Sequence, residues 1–227
     1  EQNLIPNIQT KRGCPFQCTF CEDGHSYHNK IRRFSFDRVK DELWYIATRT
    51  KAPHVMIADL NFGMYAEDVD VANELALLQK KFGWPKFFGN LNGKNNKERV
   101  IHIASIINQT NYAAAIQSTD PKVLKSIKRS NISKDKMLET TREAQKLGAS
   151  SVSELILCLP EDSLQAHLRS NFDLMDAEIE TIRTHQTVML PGAEMSSKAE
   201  RDRFGSKTRF RVMPQTIGSY NIFGEDF

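Results

Sequence analysis

Arg12-Gly13-Cys14-Pro15-Phe16-Gln17-Cys18-Thr19-Phe20-Cys21 is the stretch from which the fold is read. Its cysteines, Cys14, Cys18 and Cys21, are spaced C-x3-C-x2-C. Three thiolates on so short a loop can reach one metal centre. A four-iron four-sulfur cluster closed by protein takes four cysteines. A loop that offers three leaves one iron open to a ligand that is not protein. The spacing alone also allows a single zinc ion. His25 and His28 follow closely, and either would complete a tetrahedral Cys3His site.

Working outward from this loop, strand-length and helix-length patterns alternate. Short apolar runs cover 4–9, 54–59, 86–91, 112–117, 152–159 and 184–190. Several are apolar at nearly every residue, which predicts strands buried on both faces. Between them lie helical stripes: Val39, Leu43, Ile46 and Ala47 after the capping Ser35; Val71, Leu75, Leu78 and Phe82, stopped by Gly83; and Val100, Ile103, Ala104 and Ile107. Asp120-Pro121 opens a short helix, Ser133 the next, and Ser163 a third through Leu164, Leu168, Phe172, Met175 and Ile179. Such alternation predicts parallel strands joined by right-handed crossovers. Periodicity does not separate an open six-strand barrel from a doubly wound sheet. Either way, the cysteine loop follows the first strand and sits at the carboxyl end of the sheet, where functional loops of parallel barrels gather.

The C-x3-C-x-aromatic-C loop, with Phe20 at the aromatic position, resembles the signature of the radical SAM superfamily. The resemblance continues in order along the chain. It takes in Ile57-Ala58-Asp59-Leu60-Asn61-Phe62, then Ala115-Ile116-Gln117-Ser118 with Asp120, Leu124 and Arg129. Glu154 to Glu161 and Val188 to Glu194 follow. It implies an α/β fold, a partial (β/α)6 TIM-type barrel of parallel strands, with a core over 1–195 and an extension or domain edge over 196–227. It also implies an enzyme whose three cysteines bind a 4Fe-4S cluster. The open iron would chelate S-adenosyl-L-methionine (SAM), and its one-electron cleavage would generate a 5′-deoxyadenosyl radical.

The same resemblance places Asp59, Leu60 and Asn61 at the methionyl ammonium, although the Gly-Gly-Glu usual in the family is absent. Gln117 and Ser118 fall at the ribose or carboxylate. Arg129 falls at the methionyl carboxylate, which a guanidinium binds in a planar fork. Leu155 and Ile156 fall beside the adenine, with Met189 and Leu190 on its far side. Lys11 and Arg12 flank the loop and are expected to favour thiolate; Phe16 and Phe20 are expected to shield the cluster. The tail Thr208 to Pro214 with Ile217 to Tyr220 resembles members that carry a cobalamin domain, which points to methyl transfer. A one-electron donor such as ferredoxin or flavodoxin is the implied partner, beside a small-molecule or peptide substrate. No catalytic residue is assigned.

The 227 residues carry a net charge of +3, too small to argue for nucleic acid or a membrane surface. No apolar run approaches the ~20 residues of a spanning helix. Four cysteines, three of them clustered, do not read as a disulfide framework and indicate a reducing, cytoplasmic compartment. Cys158, in an apolar run, reads as a small core residue. The ends of the chain read as those of a piece of a longer protein.

Overall fold

A computed structural model describes residues 4–93, 95–107 and 111–209. Most of the tail resemblance, from Phe210 on, lies outside the described residues. The chain begins with β1 (Asn7–Ile8), then a small antiparallel pair, β2 (Lys11–Arg12) and β3 (Arg32–Arg33), which brackets the cysteine loop. The alternation follows: α1 (Phe36–Ala47), β4 (His54–Phe62), α2 (Asp68–Phe82), β5 (Phe87–Asn92), α3 (Lys97–Ile106) and β6 (Asn111–Gln117). Next come α4 (Pro121–Ser126), α5 (Lys134–Lys146), β7 (Ser150–Leu157), α6 (Leu164–Asp176), β8 (Thr181–Gln186) and α7 (Lys198–Phe204).

Six parallel strands form two sheets, β1-β4-β5 and β6-β7-β8. They meet between β5 and β6, where Asn92 Nδ2 donates to Ala113 O at 3.4 Å. The helices start where their sequences cap them. Ser35, Ser133 and Ser163 each accept a backbone N–H of the first turn, and Asp120 accepts two ahead of Pro121. Gly83 closes α2 at φ 65°, a left-handed conformation that suits glycine.

The core lies on the helix side of the strands. Ile8, Val55, Ile57 and Phe62 pack against Val39 and Leu43 of α1 and Val71, Leu75 and Leu78 of α2. In the other half, Tyr112, Ala114, Ile116 and Leu155 pack against Met137, Ala144, Leu174 and Ala177. Each Val, Leu, Ile, Met or Phe side chain removed from water contributes about 1.5–3 kcal/mol.

Four sequence expectations are corrected here. The strands are not buried on both faces: Met56 is 40%, Phe87 54% and Leu91 59% exposed, and none of the three belongs to the helix-packed core. The α6 stripe of Leu164, Leu168, Phe172 and Met175 faces outward; Ser170 and Leu174 are the buried side chains of that helix. Polar contacts turn it that way, since Ser170 Oγ accepts from Thr119 N at 2.9 Å and Thr119 Oγ1 donates to Asp173 at 2.6 Å. The last strand is 181–186, not 184–190. As an edge strand it is polar (Thr-Ile-Arg-Thr-His-Gln), and the apolar run lies in the turn beyond it. Cys158 is exposed, at φ 64°, in the turn after β7.

Candidate functional site

The cysteine loop is shaped by its glycines. Gly13 has φ 101°, and a Cβ there would stand 2.4 Å from Lys30 O. That close approach lets Cys14 N donate to His28 O at 2.9 Å, which closes the base of the loop. A Cβ on Gly24 would meet Cys18 O at 2.3 Å. The loop is also tied to later parts of the chain: Thr19 N donates to Ile127 O at 3.2 Å, and Met195 N to Thr19 O at 2.8 Å.

All three cysteines line one cavity of about 300 Å³ at the carboxyl ends of the strands. Phe16, Phe20 and Asp23 join them from the loop, with Leu60 and Asn61 from β4. Leu91 and Asn92 come from β5, Ala113, Ala115 and Gln117 from β6, Glu154 from β7, and Arg129 from beyond α4. Asn61 Nδ2 donates to Cys14 Sγ at 3.3 Å, and Arg129 Nη1 to Cys18 Sγ at 3.7 Å. Arg129 is braced by Asn131 Oδ1 at 3.0 Å and by the Ala115 carbonyl. Asn131 is itself pinned, donating to Ile116 O and Ser118 O at 2.8 Å each. Gln117 sits at φ 71°, at an irregularity in the β6–β7 register. It is 8% exposed, and its Oε1 has no partner among the described residues. A left-handed non-glycine and an unpaired buried oxygen are both costly, and such strain clusters at ligand sites.

Of the residues expected at the site, Phe20, Leu60, Asn61, Gln117 and Arg129 thus line the cavity. The others lie elsewhere. Asp59 is beneath the wall, accepting from Thr10 N at 2.8 Å and from Lys11 Nζ at 3.0 Å. Ser118 is buried and its hydroxyl lies 3.5 Å from Ser170 Oγ. Leu155 is wholly buried in the second core cluster. Ile156 packs on Val123, Ile127 and Leu159. Met189 and Leu190 follow β8, and Leu190 is 41% exposed. The register shifts in β4, between Ile57 and Phe62, and in β6, between Ala115 and Gln117, are not visible in residue order.

The charges near the sulfurs also differ from the sequence reading. Lys11 is 4% exposed, and its ammonium is held by Asp59 and Asp68. Arg12 donates to Gln9 at 2.7 Å and lies over Phe34. The cation at the sulfurs is Arg129, 111 residues from Cys18 in sequence. Burial pushes the Cys21 thiol up, opposed by the N–H groups of Asp23 and Gly24. Burial also raises the Asp68 carboxyl, against the pull of Lys11. Lys97, behind the β5 wall, is pushed down to about 8 by burial and then by Arg129. Sequence reasoning missed Asn131, Asn92 and Lys97, since a lone polar residue in a loop or at a strand end carries no local signal.

Among the described residues, no three or more of His, Cys, Asp and Glu are gathered to hold a single metal ion. Neither His25 nor His28 lines the cavity of the cysteines; His25 lines a separate one with Lys128 and Glu194. Three free thiols around a cavity, with nitrogen donors already aimed at two sulfurs, fit a polynuclear soft-donor group.

A family model described as the radical SAM superfamily matches residues 8–169. The chain belongs to the radical SAM superfamily. It is 28% identical over 205 residues to the cobalamin-dependent radical SAM methyltransferase TokK of Streptomyces tokunonensis, covering 88% of this chain and 30% of that protein. It is 30% identical over 209 residues to a 2-(S-pantetheinyl)-carbapenam-3-carboxylate methyltransferase of Streptantibioticus cattleyicolor, with the same coverage, 88% and 30%. The chain therefore spans about 30% of the length of these relatives. Among solved structures, the radical SAM methyltransferase TsrM of Kitasatospora setae, with cobalamin and a [4Fe-4S] cluster bound, superposes at TM-score 0.70 and 13% identity. That match covers 84% of this chain and 36% of TsrM. Coproporphyrinogen III oxidase (HemN) of Escherichia coli superposes at 0.61 and 12% identity, over 88% and 48% of the two chains. These structural likenesses establish the barrel-type α/β fold. Among the described residues, no helix is long and apolar enough to cross a membrane.

Proposed function

We propose that this chain is the SAM-binding core of a cobalamin-dependent radical SAM methyltransferase. One observation carries the reading. Three free cysteines, a guanidinium and an unpaired buried amide oxygen converge on one cavity in a chain of this family. In this reading Cys14, Cys18 and Cys21 hold a 4Fe-4S cluster, and SAM occupies the rest of the cavity. When bound, and given one electron from an external donor, these cofactors would supply radical chemistry by cleavage of the sulfonium bond.

The protein's own residues bind, orient and exclude water. Gln117 Oε1 would accept from a ribose hydroxyl, which would relieve its unpaired state. The Arg129 guanidinium would supply positive charge to the anionic end of the ligand. Phe16 and Phe20 keep water from the sulfurs. Asp59 and Ser118 act from behind the wall, by holding strand ends in place. Cobalamin, the methyl acceptor and a one-electron donor would engage a longer protein than this chain. The name of one relative, a carbapenam-carboxylate methyltransferase, supports a small-molecule acceptor.

Anaerobic reconstitution with iron and sulfide tests the reading. About four irons per chain are expected, with cluster absorbance and SAM cleavage on reduction. Cys18→Ala is expected to abolish all three. Preference for one tightly held zinc over iron, with no SAM binding, would sink it. Transfer of a labelled methyl group from SAM to added corrinoid by the full-length protein tests the cobalamin part.

A further inference from the structure

The three cysteine sulfurs are not equivalent. Cys14 Sγ faces the amide of Asn61 at 3.3 Å, and Cys18 Sγ faces the guanidinium of Arg129 at 3.7 Å. Among the described residues Cys21 Sγ has no side-chain donor, and it is faced by the backbone N–H groups of Asp23 and Gly24. Both side-chain donors are immobilised from behind. Asn61 is 7% exposed and lies two residues beyond Asp59, which is locked by Thr10 and Lys11. Lys11 in turn reaches Asp68, whose other oxygen accepts from Gly63 N at 2.8 Å and Tyr65 N at 3.1 Å. This buried ionic network clamps the start of the cysteine loop to both sides of the Asn61 strand end. Arg129 is spread across Asn131 and the Ala115 carbonyl, so its Nη1 is held toward Cys18.

On the reading that these cysteines hold a 4Fe-4S cluster, we propose that Asn61 and Arg129 are positioning residues that set the cluster's reduction potential through Cys14 and Cys18. The physical ground is charge. Reduction adds one electron to the cluster and its thiolates. A fixed donor at a thiolate sulfur stabilises the more negative, reduced form and raises the potential. A cation does so more strongly than a neutral amide. Pre-set donors cost no reorganisation when the electron arrives.

The test is a redox titration of the reconstituted protein without SAM, followed by electron paramagnetic resonance, with SAM affinity measured separately. Asn61→Leu keeps size and removes the donor. It is expected to lower the reduction equilibrium about tenfold, about 59 mV for one electron, with iron content retained. Asn61→Asp, equal in size and anionic, should lower it further, and it stands in if the leucine variant loses iron. Arg129→Gln should shift at least as far as Asn61→Leu. Arg129→Lys should fall between Arg129→Gln and the wild type, because it keeps the charge but not the fork. Unchanged SAM-free potentials in both Asn61→Leu and Arg129→Gln, with weakened SAM binding, would overturn the inference and leave the pair as SAM ligands only. A wild-type protein that takes up no four-iron cluster would instead refute the functional reading, a distinct outcome.

Discussion

The two faces of β4 (His54–Phe62) contrast sharply. Val55, Ile57 and Phe62 point to the helices and are dry, close-packed members of the first core cluster. Met56 lies outside that cluster and is 40% exposed, and Leu60 lines the cavity. One face stabilises; the other is left uncovered and presents groups for binding. Asp59 and Asn61 join the two roles, Asp59 in the ionic network and Asn61 at a cysteine sulfur. Stability and chemistry are thus divided between a packed and an open side of the strand, not by strict alternation, because the register shifts between Ile57 and Phe62; the network around Lys11 couples the two sides.

That separation can be broken in graded ways. The largest effect on stability is expected from Lys11→Met, which leaves Asp59 and Asp68 buried against each other. A loss of about 3–5 kcal/mol is expected, measured by denaturant unfolding, with reduced iron uptake because the loop base is released. Leu43→Ala, wholly on the helix side, should cost about 2–5 kcal/mol and leave iron stoichiometry and SAM affinity unchanged. If it alters them at temperatures where the protein stays folded, the faces are not separable.

Lys97 probes the wall between core and cavity. It is 4% exposed and donates to Gly93 O at 2.9 Å. Its folded value, about 8, lies below the ordinary 10.5. Between those values the unfolded chain binds the extra proton, so stability rises with pH across that window. The full gain is about 3 kcal/mol. Lys97→Met should remove this rise, and the difference between the two proteins at pH 7.5 and 10.5 measures it. The smallest effect is expected from Phe172→Ser on the exposed stripe of α6, within about 0.5 kcal/mol and with no change in iron or SAM binding.

Much of the fold was legible because its signals are local. Ser35, Ser133, Ser163 and Asp120-Pro121 are caps whose chemistry acts within one turn, and each helix begins where they stand. The α6 stripe misled for the same reason. Periodicity shows that Leu164, Leu168, Phe172 and Met175 share a face, but not whether anything covers it. Half of the site was legible through the cysteine loop and Arg129. Asn131 was not, since its meaning lies in bracing a guanidinium. Lys11 was read as a neighbour of the thiolates from its place in the sequence, yet its ammonium points the other way into two carboxylates.

By itself, then, the sequence determined the three-thiol loop, the order of strands and helices, and membership of the family, because spacing, capping and periodicity act over a few residues. Only the tertiary structure decided which cation meets a sulfur, which strand face stays open, and that Gln117 ends β6 in a left-handed conformation with an unpaired buried oxygen. Those depend on strand register and on contacts such as that of Arg129 with Cys18, 111 residues apart, which no local pattern encodes.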